Sequence, residues 1–143
     1  MSKSNTFEND LLKLIFNGTP IPNLADNAAS SPLTNLYVAL HTADPGEGGG
    51  QSTNEVAYTG YARVAVTRST AGWVVTGNSV SPATNIEFGE MTGGTPGTAT
   101  HASIGTAATG PGKILYKGAL TPTIAYNLGV VPRIKTTSTI TED

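Results

Sequence analysis

Asn35–Thr42 (NLYVALHT) and Tyr58–Thr67 (YTGYARVAVT) flank a glycine-rich, acidic loop, Ala43–Ala57. In the first stretch Leu36, Val38 and Leu40 alternate with Tyr37, Ala39 and His41. In the second, Ala62, Val64 and Val66 alternate with Tyr61, Arg63, Ala65 and Thr67. Period-two alternation of β-branched and aromatic residues marks half-buried strands. Asp44-Pro45-Gly46 and Gly48-Gly49-Gly50 supply the turn chemistry between them. The expectation is a long-looped hairpin forming the first face of an all-β core. These residues fix a fold class and say nothing of a function.

Working outward, Asn5 to Phe16 is the one helix expected. Asn5 or Thr6 is placed to cap it, Glu8 stands three residues after Asn5, and Asn17-Gly18 gives a left-handed stop. Phe7, Leu11 and Ile15 recur every four residues, widened by Leu12, Leu14 and Phe16. So short a helix does not persist alone in water, so this face docks on the chain's own core or on a neighbouring subunit. Thr19 to Thr34 carries Pro20, Pro22 and Pro32 and reads as irregular chain, either a surface loop or an arm across a neighbour.

Beyond the opening pair, strands are expected at Gly72–Thr76, Asn85–Phe88, Thr100–Ile104, Lys113–Leu120 and Val130–Ser138. Turns fall at Thr109-Gly110-Pro111-Gly112 and Asn127-Leu128-Gly129. Trp73 lies beside valines and reads as core or core edge. Thr136–Asp143, with Thr139 and Ile140, is expected to fray or lie on a partner. The assignment is therefore an antiparallel all-β sandwich or jelly-roll-like domain with one short N-terminal helix. It is one domain over 1–143: helix 1–18, Pro-bounded arm 19–34, β core 35–135 and Thr-rich tail 136–143.

Composition narrows the partners. Hydrophobic residues make up 38% and charged residues 13%, against about 25% charged in ordinary domains. A surface of Thr, Ser, Asn and Gly desolvates at low cost against protein, which favours assembly. A net charge of −2 with scattered Lys and Arg provides no basic stripe for nucleic acid. No apolar run approaches the ~20 residues of a membrane-spanning helix. The segment MSKSNTFEND has no apolar stretch of the kind a signal peptide needs, so expression in the host cytoplasm is expected. With no cysteine, disulfides and thiolate metal sites are excluded.

No catalytic pattern emerges. His41 and His101 each lie in an alternating strand without HExxH or facial-triad spacing, and polar-face or interface histidine is the simpler reading. Gly46–Gly50 lacks the Gly-Lys-Ser/Thr ending of a phosphate loop. Asp44, Glu47 and Glu55 do not follow calcium-loop spacing. There is no Gly-x-Ser-x-Gly elbow, and Glu87 is the one acid inside an expected strand, so neither a hydrolase triad nor a glycosidase pair has an anchor. The reading is a non-enzymatic protein with no cofactor and no metal.

The series FENDLLKLIFNG, LYVALHTADPGEGG, Glu55 and GYARVAV resembles a family of small tailed-bacteriophage virion proteins. Trp73, Gly77, Asn85, Ile86 and Phe88, then THASI, GKILYKGAL and Asn127-Leu128-Gly129, carry the resemblance along the chain. Members are commonly labelled phage tail fiber protein, and some resemble capsid decoration (cement) proteins. The stretch Thr19–Asn35 is longer than that pattern. The resemblance implies a virion location and no catalytic residues.

Long fibres carry heptads, collagen-like tracts or β-repeats, and none is present here. The expectation within the resemblance is a head-surface decoration protein bridging the major capsid protein and copies of itself. A tail-fibre or baseplate module that binds a host receptor is the alternative. The expected contact residues are Phe7, Leu11, Ile15, Pro20, Pro22, Pro32, Tyr37, Tyr61, Thr139 and Ile140. A carbohydrate-binding sandwich would instead expose Tyr37, Tyr58, Tyr61 or Trp73 as one stacking patch.

Overall fold

The structure, a computed structural model, describes residues 3–21, 25 and 32–142. Helix α1 spans Asn5–Leu12 and continues into a π-helical turn, Lys13–Asn17. Among the described residues nine strands follow: β1 Asn35–His41, β2 Val64–Thr67, β3 Trp73–Thr76, β4 Ser79–Pro82, β5 Ile86–Glu87, β6 Gly97–Gly105, β7 Ile114–Tyr126, β8 Arg133–Ile134 and β9 Ile140–Thr141. Over those residues the fold class is all-β with a single short helix, as expected. Three sheets form, ordered β2-β1-β6-β7, β3-β4-β9 and β5-β8. The registers of β1–β6, β6–β7, β3–β4 and β4–β9 are all antiparallel.

The chain divides into two compact units built from non-contiguous segments. One comprises Met1–Asn35, Val66–Ile86 and Ile134–Asp143; the other comprises Leu36–Ala65 and Glu87–Arg133. The first unit centres on the helix. Leu12 and Phe16 are fully buried, and the Phe16 ring meets Trp73 edge-on at 4.9 Å. Val80, Ile86 and Ile134 belong to the same unit and are buried too. The inward stripe is thus Glu8-Leu12-Phe16, while Phe7 is 37% exposed and Leu11 and Ile15 are half-buried.

The cap is Ser4 rather than Asn5 or Thr6: its Oγ accepts from Phe7 N at 3.4 Å. Gly18 ends the helix at φ 66°, as the Asn-Gly pair foretells. The carbonyls that a helix end leaves open are met from a distant strand end. Arg68 donates through Nε to Ile15 O at 2.7 Å and through Nη2 to Leu14 O at 2.5 Å. Asn17 Nδ2 adds a bond to Trp73 O at 3.1 Å.

Two features of this unit lie outside the expectations. Ser79–Pro82, where no strand is expected, forms β4, paired with β3 across the two-residue turn Gly77-Asn78. Gly77 takes φ 61°, the left-handed geometry such a turn needs. The tail does not fray: Ile140 and Thr141 pair with Val80 and Ser79, and Glu142 N donates to Asn78 O. An available edge on β4 captures the tail's backbone groups, which would otherwise face water unpaired.

In the second unit Val38 and Leu40 of β1 lie opposite Ile104 and Ala102 of β6. Tyr37, Ala39 and His41 pair with Gly105, Ser103 and His101. Leu36, Val38, Leu40, Val56, Tyr58, Phe88, Met91, Ile104 and Tyr126 are buried within it. The expected strand Tyr58–Thr67 is strand only from Val64. Tyr61 N bonds Tyr58 O, closing a turn, and Gly60 takes φ 103° with its α-carbon packed against Glu90 O. A side chain at Gly60 would strike that carbonyl, so the chain turns where alternation alone predicts extension.

Candidate functional site

The loop after β1 returns to β1. Thr42 N donates to Asn54 O at 2.8 Å and Val56 N to Leu40 O at 2.9 Å. This brings Glu55 beside His41 in an antiparallel bridge. A buried polar network results. Arg63, whose side chain is 2% exposed, clasps Glu55 in fork geometry, Nε to Oε1 at 2.8 Å and Nη2 to Oε2 at 2.7 Å. The remaining guanidinium donors reach Ala107 O at 2.9 Å and Gly110 O at 2.6 Å. The bond to Glu55 raises the Arg63 pKa. Tyr61 donates its hydroxyl to Glu55 Oε1 at 3.1 Å and accepts Leu40 N at 3.0 Å. Burial raises the Tyr61 pKa well above the ordinary phenol value, so the hydroxyl stays protonated.

Gln51 is a second anchor, fully buried. Its Nε2 donates to Tyr37 O, its Oε1 accepts from Ala107 N, and its backbone N donates to Gly112 O. A Cβ on Gly105 would run into the Gln51 side chain, which gives that glycine its reason.

His41 is also fully buried. Nδ1 lies 2.8 Å from Thr53 O, which fixes the proton there, and Nε2 accepts from Ser103 Oγ at 2.7 Å. Burial lowers the His41 pKa, against the opposing pull of the Thr53 carbonyl and Glu55. A serine hydroxyl on an imidazole oriented through its other nitrogen is nucleophile–base geometry. Ser103 is itself buried, 2% exposed, so a substrate has no access to it. The pair is a staple between β1, β6 and the loop.

The acidic residues do not converge on a cation. Asp44 and Glu47 both reach Lys117 Nζ at 3.0 Å, while Glu55 is held by Arg63. His41 and His101 stand opposite in register, yet both His41 nitrogens are engaged and His101 Nδ1 meets Thr100 Oγ1 at 2.9 Å. No group of three or more metal-ligating side chains occurs among the described residues.

Among these residues lies an open groove of about 570 Å³, lined by Glu55–Thr59, Tyr61–Arg63, Gly94 and Ala108–Gly110. Its floor includes Tyr58, which is buried, donates to Gly89 O at 2.7 Å and meets Tyr61 edge-on at 5.5 Å.

Among the expected contact residues, Pro20, Pro32 and Thr139 are exposed. Tyr37, Tyr61 and Ile140 are half-buried. Pro22, with most of the Thr19–Thr34 stretch, lies outside the described residues. Phe7, Leu11, Ile15, Thr139 and Ile140 fall in the first unit, and Tyr37 and Tyr61 in the second. Trp73 and Tyr58 are buried and offer no stacking face. The sequence reading missed Leu33, Val74 and Leu128, which are more exposed than Phe7; Leu128, 72% exposed, sits on a turn closed by Val130 N to Asn127 O. A large apolar residue inside an Asn-Leu-Gly turn was the available signal.

A family model described as podophage GP4 fiber I protein gp80 matches residues 2–141. The chain belongs to that family. The match spans both compact units and places the chain among structural proteins of the phage virion. A search of curated proteins finds no match. Among the described residues no helix is long and apolar enough to cross a membrane.

Proposed function

We propose that this chain is a non-enzymatic module of the phage fibre apparatus that works by docking on other virion proteins. The observation that carries the reading is the family match over residues 2–141, whose description names a fibre protein. The physical picture agrees with it. Polar chemistry in the second unit is consumed internally, by the Glu55–Arg63 pair, the Gln51 anchor and the sealed His41–Ser103 pair. Large apolar side chains are left outward: Phe7, Leu33 and Val74 in one unit, Leu128 and Val131 in the other. Exposed apolar side chains supply anchors where a partner docks.

A second reading is a head decoration protein that bridges the major capsid protein and neighbouring copies of itself. It is favoured by a sequence without heptads or fibre repeats and with only 13% charged residues. In that role Phe7, Leu11, Ile15, Pro20, Pro22, Pro32, Tyr37, Tyr61, Thr139 and Ile140 are the contact candidates. Gold-labelled antibody on intact particles and on separated heads and tails distinguishes the two. Label confined to the tail or its fibres supports the first reading. A regular array over the head supports the second.

A further inference from the structure

We propose that Asn17-Gly18 is a deamidation site that the folded helix end holds inactive, and that reaction there loosens the helix from β3. The inference adds a covalent modification to the docking role and does not depend on where in the particle the chain sits.

The chemistry comes from the dipeptide. Asn17-Gly18 is the sole Asn-Gly pair in the chain. In such a pair the glycine nitrogen attacks the asparagine Cγ, and the absence of a Cβ on the glycine eases its approach. The bond from Gly18 N to Asn17 Cγ forms and the Cγ–Nδ2 bond breaks. Nδ2 leaves as ammonia, taking the proton from Gly18 N. Water then opens the cyclic imide at either of its carbonyls, which yields aspartate or isoaspartate. Water is the only co-reactant, and Asn17 and Gly18 are both half-buried, within its reach.

The fold requires this pair and disarms it. The helix stops in left-handed geometry, with Gly18 at φ 66°, which glycine adopts without strain. There Gly18 N donates to Lys13 O, so the nucleophile is engaged. Thr19 N donates to the same carbonyl at 3.1 Å and fixes the turn. Asn17 Nδ2, the leaving group, is tied to Trp73 O at 3.1 Å. Arg68 holds the preceding carbonyls, Leu14 O and Ile15 O. Attack needs the Gly18 bond broken and the Asn17 side chain turned back onto its own backbone. The reaction therefore runs through an opened helix end.

The product differs from asparagine at the contact itself. A carboxylate carries no donor for Trp73 O, so two oxygens face each other across the former bond. The new charge also lies at the negative end of the helix. Phe16, the neighbouring residue, packs edge-on against the Trp73 ring at 4.9 Å, so the repulsion acts beside the contact that seats the helix. Isoaspartate further inserts a methylene into the main chain at the stop. Reclosure is opposed once the reaction has occurred, which makes the change one-way.

The test is peptide mapping by mass spectrometry on the full chain, incubated at mildly alkaline pH both folded and in guanidinium. In guanidinium, conversion should occur at Asn17 ahead of every other asparagine. In the folded chain it should be at least about tenfold slower, the factor that two ordinary hydrogen bonds supply. Arg68→Ala, which opens the carbonyls beside the stop, should speed conversion of the folded chain. Guanidinium below the unfolding midpoint gives the same reading without a substitution, because conversion should rise with exchange of the Gly18 amide. The converted chain, and Asn17→Asp as its mimic, should unfold at a lower midpoint, with Trp73 emission shifted to the red. Equal rates in the folded and unfolded chain overturn the proposal. So does conversion led by another asparagine, or a converted chain as stable as the unconverted one.

Discussion

The Arg63 guanidinium grips the Glu55 carboxylate through two bonds of 2.8 and 2.7 Å while also holding the carbonyls of Ala107 and Gly110. One side chain thus ties the end of the long loop to the turn before β7. Burying this pair carries a large desolvation cost, offset only while both partners stay in place. Arg63→Met should therefore cost about 3–5 kcal/mol, because it leaves the Glu55 charge without its partner. The double change Glu55→Leu with Arg63→Met should recover most of the loss. Urea unfolding midpoints of the two variants check this. A wild-type midpoint for Arg63→Met would refute it.

His41 makes stability depend on pH. Its folded pKa lies below the ordinary histidine value of 6.5 because burial disfavours the charged ring. Above pH 6.5 both states are neutral and the contribution is fully present. As pH falls below that value the unfolded chain takes up a proton that the folded chain resists, so stability declines toward the lowered folded pKa. The groups surrounding the ring are Glu55, which favours the charged form, and Arg63 and His101, which oppose it. The unfolding midpoint should fall between pH 7 and pH 5, with a shallower slope in His41→Gln. The comparison is of slopes, since the substitution also removes two hydrogen bonds. Identical slopes would sink the assignment.

Phe16 and Phe7 test which face of α1 looks inward. Phe16 is fully buried against Trp73, whereas Phe7 is 37% exposed. Phe16→Ala should cost about 3–5 kcal/mol through lost burial and the cavity left behind. Phe7→Ala should stay within about 0.5 kcal/mol, as surface changes do. Thermal unfolding separates the two. Equal losses would place the helix in another rotation.

Arg68 closes the helix end from a distance. With Nε on Ile15 O and Nη2 on Leu14 O, its removal leaves two partly buried carbonyls open. Arg68→Ala should cost about 1–3 kcal/mol and accelerate amide exchange over Lys13–Gly18 more than in β6. Uniform exchange across the chain would contradict a local capping role.

The fold class was legible because its signal is local. Alternation in NLYVALH set β1, and the Asn17-Gly18 pair set the helix stop. The misses share a cause, which is pairing between residues distant in sequence. Ser79–Pro82 alternates over only four residues, one of them a proline, and becomes strand by pairing with β3 on one side and β9 on the other. Gln51 and Arg68 read as ordinary polar residues, and their backbone partners Ala107 N and Leu14 O lie 56 and 54 residues away. Phe7-Leu11-Ile15 and Leu12-Phe16 are both apolar, so the sequence leaves a broad face, and packing against Trp73 turns Leu12 and Phe16 inward. Glu55 was visible as an acid in the loop. Its bond to Arg63 was not, since period two treats Arg63 as an outward strand residue.

The most direct test of the central claim is a cryo-EM reconstruction of intact particles with the protein content measured on the same preparation. The account predicts that this chain is present in stoichiometric copies and can be traced as repeated density at the fibre apparatus, with exposed residues such as Leu128 or Phe7 against neighbouring virion proteins. Its absence from purified particles, while it accumulates in infected cells, would contradict a structural role in the virion.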